Sequence, residues 1–572
     1  MFRGRGSMTT VCACLLVGPA CGDDAPNDAG EGSSSSAGVD ETSAGPSTGI
    51  DEPTTSSPDS SSGALDSSSD DASSDDTSST GDGVHAMGDL RVFYVDPGEA
   101  GAPGATPTLL EVLAGEPQPP IALRPAGPGS YDASWYGDDR WLVVTPFGAD
   151  NQGWVFDVST PTPLAGWPLG VLTKGGEVRH YGYAPVSQRL ALWTLGDGDE
   201  GAGLQIVTLD DDGPSAPFDV TASAPATLSV DGGMAFTLDE QSVVFGATDT
   251  ETEAQSLWIA SAVPGGEAMR VLVEQTDTDL QINDIQSLGG SLVTYFVPSG
   301  AAFEGRVHIV DVAASPSPID VEVPLLPESS AHRWPVIAPD SSMMVLREFG
   351  DAEDGYVSIA IVDGVPQAPV QLDVGVAAGD PSSAIPRWSA DSRWFQFEAG
   401  VSTQVVVRVE GGVPSAPQEI GEDLGFVRSV HLSPLSDFVY FVGGETDDRR
   451  VMRSSLQGDE LGAPEPLTEP IADGVTQISV ARDGASLTYV TGDDAAPSRA
   501  YFIDVSGDEP GDPIQLATLV EDPGPGGSSP FAGGEYAVYG IPDLGSTLVN
   551  VAAGQAFPIA ESRSIYSLAQ LP

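Results

Sequence analysis

Lysine is nearly missing from this chain. Among 572 residues only Lys174 is a lysine, and the 22 basic residues face 84 acidic ones, for a formal net charge of −62. Binding to nucleic acid depends on many Lys/Arg contacts to phosphates and on the counterions they release, so a surface of this sign excludes nucleic acid as a partner. Cysteine is confined to Cys12, Cys14 and Cys21. Everything after residue 21 therefore lacks both a disulfide and a cysteine metal site. Histidine is scarce as well, at His85, His180, His308, His332 and His431. No P-loop, dinucleotide fingerprint or H-E-x-x-H motif occurs, and no stretch keeps a helical period.

The first 84 residues divide in two. Arg3 and Arg5 precede the uncharged stretch "MTTVCACLLVGPA", Met8 to Ala20, and then "CGDD". This is the form of a secretory signal, with an apolar run too short to span a bilayer. "LVGPAC" resembles the lipobox of bacterial lipoproteins, although Gly18 and Pro19 stand where that family has Leu and a small residue. The resemblance implies a signal peptide over 1–20 and lipidation of Cys21. Cys14 is the alternative acceptor, and plain secretion the alternative fate. Residues 21–84 are mostly Ser, Asp, Thr, Gly, Ala and Pro, as in "DSSSDDASSDDTSSTGDG". They hold too little apolar surface to offset the entropy of ordering, which predicts a disordered, charge-extended tether. The "GPSTG" at Gly45 to Gly49 fits G-x-S-x-G, but that motif works only on a strand-to-helix elbow, which such sequence does not provide.

Beyond residue 85 one phrase recurs. Aligned on the first residue of a small turn, the copies are anchored at Asp138, Val186, Asp239, Gly289, Asp340, Asp391, Leu435, Asp483 and Gly533, close to fifty residues apart. Each copy has a short run, a turn of Asp, Gly, Ser or Pro, a β-branched and aromatic run such as "RWFQFEA", a third run such as "QVVVRVEGG", and a proline-marked fourth. These are strands bounded by turn chemistry. Four strands in some fifty residues, repeated, is the plan of an all-β β-propeller of four-stranded blades over 85–572. "LRVFYVD" at 90 to 96 opens a copy lacking its first strand, which "SRSIYSLAQLP" at the C-terminus is expected to supply. The blade number is expected between seven and ten. "APDSS", "SADSR" and "ARDGA" resemble the Ser-Pro-Asp-Gly turn of the WD40-like repeats in TolB-type propellers. That resemblance implies the propeller fold; the full tetrad never occurs intact.

Candidate chemistry is thin. Arg179, Arg333 and Arg428 each stand seven residues before an anchor, so equivalent ring positions would carry a guanidinium suited to an anionic ligand. The alternative is that each pairs with a carboxylate of a neighbouring blade. His180, His332 and His431 stand six, eight and four residues before theirs and are expected at different heights, as packed or surface side chains and not a metal site. Acidic clusters at 197–201, 210–213 and 277–284 suggest Ca2+, but none completes the D-x-D-x-D-G loop, and solvated turns are the expectation.

The expected function is a non-enzymatic binding scaffold: a lipid-anchored protein of the cell envelope, on the periplasmic side of the outer membrane or at the cell surface. Its propeller would meet a protein, peptide or glycan, with no contact to the membrane beyond the anchor. The alternative is a lyase or hydrolase with an Arg/carboxylate site on the channel face. If Cys21 is the anchor, Cys21→Ala transfers the protein from the membrane fraction to the soluble one. Unchanged partitioning on fractionation would refute the anchor.

Overall fold

Short β-branched and aromatic runs closed by tight turns satisfy their backbone N–H and C=O groups by pairing with the adjacent run. In the computed structural model the described residues run from Leu90 to Gln570, leaving out residues 1–89 and several inter-strand stretches, of which 373–385 and 519–535 are the longest. The signal, the tether and Cys21 thus lie outside the described residues. Within them the chain is all-β, with no helix, and its strands form nine antiparallel sheets.

A sheet is one copy of the repeat. Tyr131–Tyr136, Trp141–Pro146, Trp154–Asp157 and Gly166–Pro168 lie side by side in chain order. The copies beginning at Leu228–Phe236, Val427–Leu432 and Val475–Val480 repeat that meander. In others the fourth strand is split in two, as in Val365–Pro366 with Val370–Gln371 and Val413–Pro414 with Gln418–Glu419. Pro369 and Pro417 fall in the gaps, where a residue without an N–H is tolerated on an edge strand. The one ten-stranded sheet is two copies joined where Gly305 pairs with His332. The first sheet is completed by the C-terminal strand Ile565–Gln570, which pairs with Leu90–Asp96 as the sequence suggests. The sheet of Tyr536–Ile541, Gly545–Asn550 and Gln555–Ala560 has three described strands, and the stretch that would lead it is outside the description.

Central strands are buried on both faces: Trp394–Glu398 and Ser486–Thr491 are buried along their whole length. The reason is that each apolar core is shared by two consecutive copies. Trp141, Val143 and Val155 pack with Leu190, Leu192, Val207 and Leu209 of the next copy. Tyr440, Val442 and Val451 pack in the same way with Ile478, Leu487, Tyr489 and Ile503. The arrangement recurs at every other boundary from the first copy to the ninth.

The turns explain the repeated phrase. Asp239, Asp340, Asp391 and Asp483 each accept, through Oδ1, the backbone N–H two residues on, at 3.0 to 3.1 Å, the bond that fits Asp to a turn. The residue after the anchor is left-handed: Glu240 (φ 54°), Ser341 (61°), Ser392 (60°), Ser436 (60°) and Gly484 (71°). A non-glycine residue pays about 1–2 kcal/mol for that backbone, and at Glu240, Ser392 and Ser436 its side chain bridges to the preceding copy. Ser392 Oγ accepts the Asp340 N–H at 2.9 Å, and Ser436 Oγ accepts the Asp391 N–H at 3.1 Å. The Glu240 carboxylate takes two such donors, Val186 N–H at 2.9 Å and Ser187 N–H at 2.5 Å, while Arg189 donates to the Glu240 carbonyl. Burial works to raise the Glu240 pKa, but the bonds from Ser187 and Val186 and the charge of Arg189 outweigh it and hold the carboxyl below its usual 4.5.

Glu240→Ala leaves two N–H groups without their acceptor and is expected to lower the unfolding free energy by about 1–3 kcal/mol. Because the folded-state pKa is depressed, this share of stability is full above pH 4.5 and fades as pH falls through the folded value. Urea midpoints that coincide for variant and parent at pH 7 would show that the bridge contributes nothing.

Candidate functional site on the leading strands

Among the described copies the first strand lies at a sheet edge, with one side of its backbone lacking a ladder partner, except Ser329–His332, which pairs on both sides. Most of these leading strands also break step with their neighbour. An extra residue stands at Tyr181, between His180 and Gly182, and another at Thr476, between Val475 and Gln477. The register slips again between Val230 and Met234, between Asn283 and Gln286, and between Arg428 and His431. In the last two the bulge contains a left-handed residue, Asp284 (φ 50°) and Ser429 (φ 51°). Bulges re-aim side chains and free backbone groups, and they concentrate at rims and sites. Here the adjoining carbonyls are taken up across the boundary between copies. Trp193 Nε1 donates to the Val230 carbonyl at 2.8 Å, and Arg428 Nη2 donates to the Val475 carbonyl.

Arg179 pairs with Trp193 and Arg428 with Val442, each seven residues past its anchor, so equal spacing in sequence is equal height in the ladder. The Arg428 guanidinium is committed to the Val475 carbonyl and lies 5.6 Å from the Phe426 ring centre. Nothing is described of the Arg179 side chain, and Arg333 is outside the described residues.

Among the histidines, His332 is fully buried, with Nε2 3.5 Å from Glu348 Oε1. Glu348 also accepts from Leu326 N–H and Ser329 Oγ. His308 stacks on Tyr295 with ring centres 4.9 Å apart and faces Asp320. His180, His332 and His431 pair with Leu192, Glu348 and Tyr440, which stand six, eight and five residues past their anchors, so the three sit at different heights. Among the described residues no group of three or more His, Cys, Asp or Glu side chains could hold a metal ion. At the cluster 210–213, Asp211 pairs with Arg140 at 2.8 Å, and Asp210 Oδ1 accepts the Asp212 N–H, as in a solvated turn.

Three other side chains of the leading strands share a distinctive setting. Asp284, Arg387 and His431 are enclosed by protein, enough to shift each pKa through lost solvation, yet all keep part of their surface in solvent. Arg387 pairs with Gln396 and His431 with Tyr440, each five residues past its anchor, so the two stand at one height on successive copies. Burial lowers the Arg387 pKa. Burial first, and the Arg387 charge second, push the His431 imidazole down to about 4. For Asp284, burial raises the pKa against a 2.8 Å hydrogen bond donated by Gln286 Nε2. Arg387 and His431 both stand four residues before their anchors. That common offset was the sequence signal for the pair, hidden because no other copy carries a charge there.

No protein-family model matches the chain, and no curated protein matches it in sequence. Solved structures match at low similarity. A crystal structure of the eukaryotic initiation factor is 11% identical with a TM-score of 0.42, covering 75% of this chain and 96% of its own. Oligogalacturonate lyase from Vibrio parahaemolyticus is 11% identical with a TM-score of 0.35, covering 62% and 95%. Apo AztD from Citrobacter koseri is 12% identical with a TM-score of 0.33, covering 75% and 95%. Likeness at this level carries no argument about activity, and the fold stands on the chain's own ladders and shared cores.

Asp284 tests the enclosure. A carboxyl whose folded pKa lies above its unfolded 3.8 favours folding only while protonated, and that contribution is lost as pH rises through the folded value. Asp284→Asn keeps the acceptor for Gln286 and tolerates the left-handed backbone. It is expected to raise the melting temperature at pH 7, with the gain shrinking toward pH 3. A variant less stable than the parent at pH 7 would contradict the enclosure.

Proposed function

We propose that this protein is an envelope lipoprotein, lipidated at Cys21 and extended on the tether 21–84. Its domain 85–572 is a closed, TolB-type β-propeller of ten blades serving as a binding scaffold for a protein, peptide or glycan. Nine described sheets, one of them double, support the number ten. The pairing of Ile565–Gln570 with Leu90–Asp96 supports closure. In such a ring the leading strands line the axial channel, with their bulges at its wall.

Binding is favoured over catalysis by the placing of Arg387 and His431 at one height on successive leading strands, with burial working against protonation of the imidazole. An imidazole with a pKa of about 4 is neutral at pH 7 and a weak base there, whereas a general base works best with a pKa near the operating pH. Its neighbour Arg387 is a permanent cation and not a proton carrier. The pair is built to hold a group by charge and hydrogen bonding. Loops and edges displayed on a rigid frame are the usual place for such recognition.

The full chain, incubated with envelope extract, is expected to deplete its ligand only up to about one equivalent and to return it chemically unchanged on elution, as read by mass spectrometry. Products accumulating beyond the molar amount of protein would favour the lyase or hydrolase reading.

A further inference from the structure

Exposed aliphatic side chains gather on the hairpins between third and fourth strands. Strand Gly355–Val362 closes on Val365–Pro366 with Val362 opposite Val365, and Gln404–Glu410 closes on Val413–Pro414 with Glu410 opposite Val413. Val362, Val365 and Val413 are 54%, 52% and 68% exposed. The hairpins do not need them. In the copy anchored at Val186 the same paired positions hold Asp210 and Gly213, and the hairpin closes in the same register. Both turns, Asp363–Gly364 and Gly411–Gly412, have positive φ at each residue, which suits a two-residue loop to a hairpin whatever flanks it. The side chains are also contiguous across copies. A Cβ on Gly412 would lie 3.5 Å from the Ala360 Cβ, and one on Gly364 would lie 3.0 Å from Leu292 Cδ1. Leu292 stands opposite Asp311, and Asp311 opposite Ile319, which is 59% exposed. The strip therefore runs over the consecutive copies anchored at Gly289, Asp340 and Asp391. Single exposed aliphatics are ordinary, whereas a run of them among polar neighbours marks an interaction surface.

We propose that Ile319, Val362, Val365 and Val413 form a docking strip for a segment of another protein that carries aliphatic side chains among Lys and Arg. Charge selects this occupant. Asp320 follows Ile319, Asp363 lies in the turn between Val362 and Val365, and Glu410 stands opposite Val413; all three carboxylates are on exposed residues. Arg408, two residues before Glu410 on the same strand, is already bound to Asp459 at 2.7 Å. A formal net charge of −62 sets a second copy of this chain, or an anionic bilayer, against the strip. A basic partner is instead drawn in by the carboxylates and covers the aliphatic groups on contact. The strip belongs to third and fourth strands, so it stands or falls independently of Arg387 and His431.

Two short labelled peptides of equal charge provide the test, one alternating leucine with lysine and the other serine with lysine. Each is titrated against the full chain and followed by fluorescence anisotropy. The leucine peptide is expected to bind more tightly. A double variant, Val365→Ser with Val413→Ser, is expected to weaken it by at least about tenfold and to leave the serine peptide unchanged. A second double variant, Asp363→Asn with Glu410→Gln, is expected to weaken the leucine peptide and to flatten its loss of affinity with added salt. If the serine variant does not give the parental circular dichroism, Val365→Thr with Val413→Thr, which keeps the branched shape, decides by the same comparison. Leucine and serine peptides that bind alike, or a leucine peptide indifferent to the valine changes, overturn the strip. An unchanged salt dependence in the carboxylate variant overturns the basic partner. A parent chain that sediments as a dimer while the serine variant sediments as a monomer gives the strip to a second copy and overturns the choice of occupant.

Discussion

A four-stranded sheet that is apolar on both faces cannot stand alone in water, and the rest of this structure follows from that constraint. Each described core belongs to two copies at once, as in the packing of Val439 and Phe441 against Trp394 and Val406 of the copy before. Burying one such side chain contributes about 1.5–3 kcal/mol, and each boundary buries several. A turn-to-turn hydrogen bond contributes about 1 kcal/mol. Apolar burial thus decides that the copies stack, while the bonds from Glu240, Ser392 and Ser436 set their alignment. A side chain in the left-handed turn position could point into solvent; that three of them reach the preceding turn makes the alignment part of the repeat itself.

The same stacking makes the leading strands the place for function. Second strands are sealed between neighbouring copies, as Trp394–Glu398 and Ser486–Thr491 are. Most of the leading strands combine an open edge, a register slip and partly hydrated polar groups. Trp193 and Arg428, chemically unlike, perform one task in two copies: each reaches a carbonyl beside a bulge in the next copy, at Val230 and Val475, which stand opposite Ala247 and Thr491.

Much of this was legible in the sequence because its causes are local. The Asp of the turn is visible at Asp340, Asp391 and Asp483 because it bonds its own backbone two residues on. The double burial of "RWFQFEA" is visible because a strand covered on both faces cannot alternate. Equal spacing of Arg179 and Arg428 from their turns correctly implied equal height. What Arg428 does there was not legible, since its partner is a carbonyl in another copy, freed by a register slip that no residue type announces. Nor was the desolvation of Asp284, Arg387 and His431, which depends on how neighbouring copies crowd them. Lipidation and the tether rest on sequence pattern alone.

The pairing of Ile565 with Tyr94 carries a consequence for biogenesis. The edge of the first sheet waits for a strand that a ribosome makes far downstream, so the first sheet emerges with an unpaired margin. Contacts so distant along the chain form slowly. Until they do, that margin is open to proteases and to pairing with other chains. A protein built this way gains from keeping that margin shielded until the distant strand has been made.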